Sequence, residues 1–244
     1  MRITLITNYD AASSLALNYL ESVLSKHSSS IFYTNKSSPK SAGSSSLLQQ
    51  LAQFDKSILD SNIFTKLRAE ELNQINKGTD LARFQESDPE LVISIRHMSI
   101  LEKKIIQQPR HGVINLHSGL LPDFRGVMAT FWAMYNQQST IGTTLHKIED
   151  RSIDTGSVIS TSSIGLNYNK SYLWNTLNLY KTGCTAIQRA LHSVSSGHDL
   201  KSVNQGREKG AYFSYPDQNT LSEFKYDLFN KEDSLTDFLP RARV

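Results

Sequence analysis

Three side chains with the right chemistry for acyl transfer fall into a suggestive pattern: Asn115 and His117, two apart within the stretch 112–126, and Asp154 within Ser152-Ile-Asp-Thr-Gly-Ser157. Asn115 and His117 arrive as an apolar run, Val113 and Ile114, is ending. Residues two apart on an extended chain point the same way. An amide and an imidazole therefore emerge side by side at the end of a strand, where open α/β sheets hold their ligands. The amide NH2 is a neutral, orientable donor to an oxyanion. An imidazole can donate to the same oxygen or carry a proton, and a carboxylate can fix its tautomer and draw a proton from an attacking amine through water. Taken singly, each residue has a plainer reading: a turn asparagine, a satisfied structural histidine, an Asp-x-Gly turn. It is the combination that points to transfer of a carbonyl carbon onto a nucleophile.

The elements that must position these groups read as alternating strands and helices. Ile3–Thr7 reads as a buried strand, Ser13–Leu24 as an amphipathic helix with Leu15, Leu17, Leu20 and Val23 on its apolar stripe, and Ser30–Thr34 as a second strand. Strand, helix, strand at this spacing is a βαβ unit and implies a parallel sheet. The Ser/Lys/Pro/Gly-rich segment 36–46 reads as a mobile surface loop, and 47–72 has helical spacing with solvated charges. Glu90–Ile95 reads as a buried strand after the Asp88-Pro89 turn, 100–107 as a short helix, and Val113–Leu116 as the strand that delivers Asn115 and His117. A helix over Thr130–Asn136 follows, then two β-branched strands, Thr140–Ile148 and Ser157–Ser163, flanking Asp154. A long helix runs from Ser171 to a glycine cap at Gly197. Beyond Lys201 the spacing predicts an extended segment or hairpin over 206–216, a small helix over 220–228 and a frayed end. The expected division is a catalytic domain over 1–200 and a short extension over 201–244 packed on it.

Composition narrows the field. At 244 residues, with 39% hydrophobic and 20% charged residues, the chain can bury one large core. A formal charge of +3 is too small to argue for nucleic acid as a partner. No apolar run approaches the roughly 20 residues of a membrane span, and the N-terminus lacks secretory character, so the cytoplasm is the expected compartment. The single cysteine, Cys184, rules out an internal disulfide and reads as a small buried apolar residue. No His/Cys/Asp spacing has metal-ligand geometry.

The motif resembles that of the formyltransferases that take their formyl group from 10-formyltetrahydrofolate. That family carries Asn-x-His, then a Leu-Leu-Pro loop with an aromatic and Arg/Lys-Gly, and later Asp-x-Gly. Here Asn115, His117 and Asp154 fall on the catalytic places, and Leu120, Leu121, Pro122, Phe124, Arg125 and Gly126 fill the loop. The resemblance covers residues 88–165, with one departure: Gly119 stands where family members often carry serine, and Ser118 lies one place earlier. The resemblance implies a Rossmann-like α/β fold with a mostly parallel sheet and helices on both faces. It further implies 10-formyltetrahydrofolate as cosubstrate, held by a loop containing Met98, Ser99, Ile100 and Leu101 and by a second containing Asp150, Arg151, Ser152 and Ile153. His97 and His146 read as structural or surface histidines. Phe124, Phe131 and Trp132 could line an acceptor pocket, although aromatics at helical spacing more often fill a core.

The acceptor is narrowed by elimination within that family. Glycinamide ribonucleotide enzymes usually hold phosphate on a Gly/Ser-rich turn after the first strand. The turn here, 7–14, has no glycine and puts Asp10 where an anion would sit. Methionyl-tRNA enzymes carry an added C-terminal barrel, for which too few residues follow the long helix. The remaining expectation is a small-molecule amine, either an amino-sugar nucleotide or a hydroxyornithine-like compound, contacted by Tyr9, Asp10, Ser118, Gly119 and Arg125, with Tyr212 and Tyr215 nearby. Hydrolysis of 10-formyltetrahydrofolate and non-catalytic folate binding remain alternatives, and a homodimer is left open.

Overall fold

The computed structural model describes residues 1–35, 45–206 and 210–239. The expected loop at 36–46 lies almost wholly outside them, as does the end expected to fray.

β1 (Arg2–Asn8), α1 (Ala11–Leu24) and β2 (Ser28–Thr34) form the expected βαβ unit. There follow α2 (Ser46–Ile58), α3 (Ser61–Lys66), the two-residue β3 (Glu70–Glu71) and α4 (Gly78–Glu86). Next come β4 (Leu91–Ile95), α5 (Lys103–Ile106), β5 (Val113–His117), β6 (Phe124–Gly126) and α6 (Ala129–Tyr135). The chain continues through β7 (Thr140–Ile148), β8 (Val158–Gly165), α7 (Tyr172–Asn178), α8 (Tyr180–Ser195), β9 (Ala211–Phe213) and α9 (Gln218–Glu223). Seven strands make one sheet in the order β3-β2-β1-β4-β5-β7-β8. Its first five strands pair in parallel, and β7 and β8 are antiparallel. This is a mostly parallel α/β sheet with helices on both faces.

Alternation along the strands builds that two-sided core. Ile3 and Leu5 of β1, Leu91, Ile93 and Ile95 of β4, and Ile114 and Leu116 of β5 pack on one face with α1 and α8. Ile6, Val92 and Val113 pack on the other with Phe84 of α4 and Ile105 and Ile106 of α5. Strands buried on both faces read as near-continuous apolar runs. Asn115 and His117 share the parity of Val113, so at the carboxyl end of β5 they turn away from the α1/α8 core.

Some elements differ from the sequence expectation for identifiable reasons. The helix expected over 47–72 breaks where Leu59 turns extended and Asp60 caps α3 by accepting from Asn62 N–H. The chain then leaves helix entirely at Arg68, whose φ is 53°. The helix expected from Ser171 is two helices, interrupted at Leu179, whose N–H bonds Thr176 O. The α4 helix was not anticipated, because it is polar around nearly its whole girth and buries Phe84 alone. The residues after Lys201 pack back on the sheet domain: β9 pairs in parallel with β6, Tyr172 and Leu173 donate to the carbonyls of Asp227 and Leu228, and Ser171 Oγ bonds Asp233.

Candidate active site

Asn115 and His117 stand at the carboxyl end of β5, in the middle of the sheet. Opposite them on the antiparallel β7, register pairs Asn115 with His146 and His117 with Thr144. The Thr144 hydroxyl anchors the Leu-Leu-Pro loop, donating to Gly119 O at 2.7 Å and accepting from Leu121 N at 3.1 Å. Asp154 comes in from the turn between β7 and β8, with a left-handed φ of 55° that an aspartate tolerates better than most residues. Its Oδ2 lies 3.4 Å from His117 Nδ1, and its Oδ1 lies 3.4 Å from His146 Nε2. Asn115 Nδ2 is 3.1 Å from the same His146 nitrogen. Amide, two imidazoles and carboxylate thus form one connected set.

Two glycines make this arrangement possible. A Cβ at Gly156 would lie 1.8 Å from Lys147 O, so only glycine lets the Asp154 turn close against β7. A Cβ at Gly119 would lie 2.5 Å from His117 Nε2 and 2.8 Å from Phe124 O. That is the physical reason for the departure at this position: here the His117 ring and its carbonyl partner use the space a serine would fill. Gly119→Ser is accordingly expected to destabilise by about 1–3 kcal/mol through overpacking and to displace His117. Urea unfolding and turnover measured together would register both effects.

The electrostatics follow from burial. Desolvation alone would raise the Asp154 carboxyl, but the charge of His117, the bond and charge of His146 and the Gly126 N–H at 2.8 Å outweigh it and bring it down to about 2. His117 Nε2 donates to Phe124 O at 2.6 Å and its Nδ1 faces the carboxylate, so a ring carrying both protons satisfies both acceptors. His146 Nδ1 donates to Lys147 O at 2.9 Å, which leaves Nε2 directed at Asn115 and Asp154. An acid held near 2 is a weak base, so Asp154 acts chiefly as a fixed negative charge.

The set opens onto a cavity of about 560 Å³, within the range of small-molecule sites. Its walls include Met98, Ser99, Ile100, Leu101, Asp150, Arg151, Ser152 and Ile153, together with Tyr9, Asp10, Ser118, Tyr212 and Tyr215. Met98, Ile100 and Ile153 leave 40%, 49% and 41% of their surface uncovered, a concentration of bare apolar surface at one cavity.

Several expectations need correction. Gly119 lies behind His117 rather than on the cavity wall. Arg125 is buried and donates to Gln205 Oε1 and Gly206 O, both at 3.2 Å; read from sequence as an acceptor contact, it is held by those two residues and does not line the cavity. Phe124, Phe131 and Trp132 are not cavity-lining either: Phe124 and Trp132 stack on Phe213, and Phe131 packs against Trp132 and Phe224. His146, read as structural or surface, belongs to the site, and His97 lines the cavity. Sequence reasoning also passed over Arg96 and Asp55. Arg96 Nε bonds Asp10 Oδ2 at 2.7 Å, and burial beside Asp10 pushes the Asp55 carboxyl up to about 7. Nothing in the local sequence brings residues 10, 55 and 96 together; the order β1-β4 and the return of α2 do so. Cys184 is fully buried, far from this chemistry, and burial drives its thiol well up.

Methionyl-tRNA formyltransferase of Thermodesulfovibrio yellowstonii is 36% identical over 87 residues, which is 36% of this chain and 28% of that protein's length. A sugar N-formyltransferase from Shewanella sp FDAARGOS_354 superposes with a TM-score of 0.61 at 19% identity, covering 88% of this chain and 77% of the other. The N-formyltransferase from Helicobacter canadensis, solved with folinic acid and dTDP-3-aminofucose, gives 0.58 at 17% identity over 88% and 71%. At those identities the structural likeness speaks to the fold. A family model described as formyl transferase matches residues 14–172, a span that contains Asn115, His117, His146 and Asp154, and the chain belongs to that family.

Proposed function

We propose that this protein is an N-formyltransferase that moves a formyl group from 10-formyltetrahydrofolate to the amine of a small molecule. The observation that carries this reading is the convergence of Asn115, His117 and Asp154 on one cavity, with the acid 3.4 Å from the imidazole. The residues lining the cavity suit the cosubstrate. The apolar surface of Met98, Ile100 and Ile153 offers a flat aromatic ring something to cover, and the 98–101 and 150–153 segments would hold it. Bound there, 10-formyltetrahydrofolate supplies a formyl carbon on a nitrogen that can leave.

The chain's own groups do the rest. Asn115 Nδ2 donates to the formyl oxygen as negative charge gathers on it, and the positive face of His117 strengthens that charge stabilisation. Asp154 holds the His117 ring oriented, with Oδ2 3.4 Å from Nδ1. His146 packs against the Asn115 amide, with Nε2 3.1 Å from Asn115 Nδ2 and Nδ1 bonded to Lys147 O. The proton the amine loses passes through water to the departing nitrogen of the cosubstrate, which gains one as it leaves.

The β1 side of the cavity bears on the acceptor. A helix N-terminus is a ready anion site, but α1 is capped by Asp10, which accepts from Ser13 N–H, and Asp55 approaches Ala11 N–H at 3.4 Å. Arg96 is committed to Asp10. With Asp10 filling the α1 cap and Asp55 against Ala11 N–H, the place where a phosphate would dock is taken, which favours an amine without phosphates, such as a hydroxyornithine-like compound, over an amino-sugar nucleotide. Incubation with 10-formyltetrahydrofolate and a panel containing both classes, with tetrahydrofolate and formyl product followed together, tests the proposal. Amine-dependent turnover is expected. Formate release at the same rate without amine would make the protein a hydrolase, and binding without any turnover would make it a folate-binding protein.

A further inference from the structure

The Asp154 turn is gripped from behind by a residue that does not line the cavity and lies outside the family match. Gln205 is buried, and its Nε2 donates to Asp154 O at 2.9 Å and to Gly156 O at 2.7 Å. Its Oε1 accepts from Arg125 Nη2 at 3.2 Å. A guanidinium only donates and a carbonyl only accepts, so the amide has one orientation that satisfies all three partners. Arg125 fixes that orientation and also ties down Gly206 O.

Arg125 sits at the centre of β6, and β6 touches the reacting groups on either side of it. Phe124 O holds His117, and Gly126 N–H holds Asp154 Oδ2. The other edge of β6 is zipped to β9, with Gly126 opposite Phe213 so closely that a Cβ at 126 would lie 2.1 Å from Phe213 O. The segment after the last long helix therefore reaches both His117 and Asp154 through β6, and reaches the Asp154 backbone directly through Gln205. The left-handed φ of 55° at Asp154 is a conformation that persists where its surroundings over-determine it, and two donors on the carbonyls of 154 and 156 do so.

We propose that Gln205 is a positioning residue: its amide, aimed by Arg125, sets the direction in which the Asp154 carboxylate meets His117 and His146. The proposal rests on the reading of Asn115, His117 and Asp154 as the reacting centre. Two full-length variants separate it from simple anchoring. Gln205→Glu keeps a partner for Arg125 but loses both donors, and Gln205→Met loses donors and acceptor without adding charge. Two readouts apply, the titration of the Asp154 carboxyl by carbon-13 NMR and formyl turnover at saturating folate.

In the wild type, Asp154 stays ionised to about pH 2. In both variants its titration is expected to move up toward the ordinary 3.8, with turnover lower on the order of 10- to 100-fold and affinity for 5-formyltetrahydrofolate unchanged. Gln205→Glu behaving as wild type while Gln205→Met loses activity would reduce Gln205 to an anchor for Arg125 and overturn the proposal. So would lost turnover with an unmoved Asp154 titration. Should one variant fail to fold, the other decides by the same two readouts. A wild-type Asp154 that titrates near 3.8 would instead contradict the reading of the centre itself.

Discussion

Asn115→Ala is expected to lower formyl transfer on the order of 10²- to 10³-fold, the usual cost of removing one oxyanion donor, while leaving folate affinity and the fold intact. The amide is half-buried on a strand end whose apolar neighbours Val113, Ile114 and Leu116 do the packing, so truncation opens no core cavity. What disappears is the group that meets charge as it forms on the carbonyl oxygen. Because the donor acts on the transition state, the loss falls on kcat rather than on binding of the cosubstrate. Asn115→Asp sharpens the test, since it keeps the shape but directs an acceptor, with negative charge, at an oxygen that is itself becoming negative. Steady-state kinetics with separate folate titration would show whether kcat carries the effect; a rise in the folate dissociation constant with kcat preserved would assign Asn115 to binding instead.

Asp154→Asn is expected to be as severe, roughly 10²- to 10⁴-fold in turnover, and to leave a trace in stability that depends on pH. The carboxyl is brought from 3.8 down to about 2 in the folded chain, and only a tenth of its side chain reaches solvent. A depressed acid stabilises the fold above its unfolded value, and that contribution fades as pH falls through the folded one; the size is about 2 kcal/mol. The wild type should therefore exceed the variant in stability at pH 7 and keep most of that margin at pH 4, and the two should converge as pH approaches 2. Urea unfolding at a series of pH values would reveal the convergence. A constant difference down to pH 2 would mean that the carboxylate is not held by His117 and His146.

The strands and helices that form the βαβ frame were legible because burial on both faces leaves continuous apolar runs such as Leu91–Ile95, and Asn115 and His117 were legible because period-2 alternation puts them on one face. His146 was not. Its strand was readable, but its role depends on β7 pairing antiparallel with β5 in the register that sets residue 146 opposite 115, and register between distant segments is absent from local pattern. Arg125 was misjudged for a related reason: a cation in a motif loop invites a ligand, and only the return of Gln205 shows where it goes. The Arg96–Asp10 pair spans 86 positions and is set by strand order alone. The broken helices at Leu59 and Leu179 were hidden because the apolar spacing runs straight through both breaks while capping interactions stop the helix.

The most direct test of the central claim is a crystal structure with 5-formyltetrahydrofolate bound, a cosubstrate form that retains the formyl group but does not transfer it. The account predicts the folate ring against the 98–101 and 150–153 segments, with its formyl oxygen within hydrogen-bond reach of Asn115 Nδ2 and its carbonyl carbon between His117 and the open β1 side of the cavity. Folate bound elsewhere, or in this cavity with its one-carbon group turned away from Asn115 and His117, would contradict it.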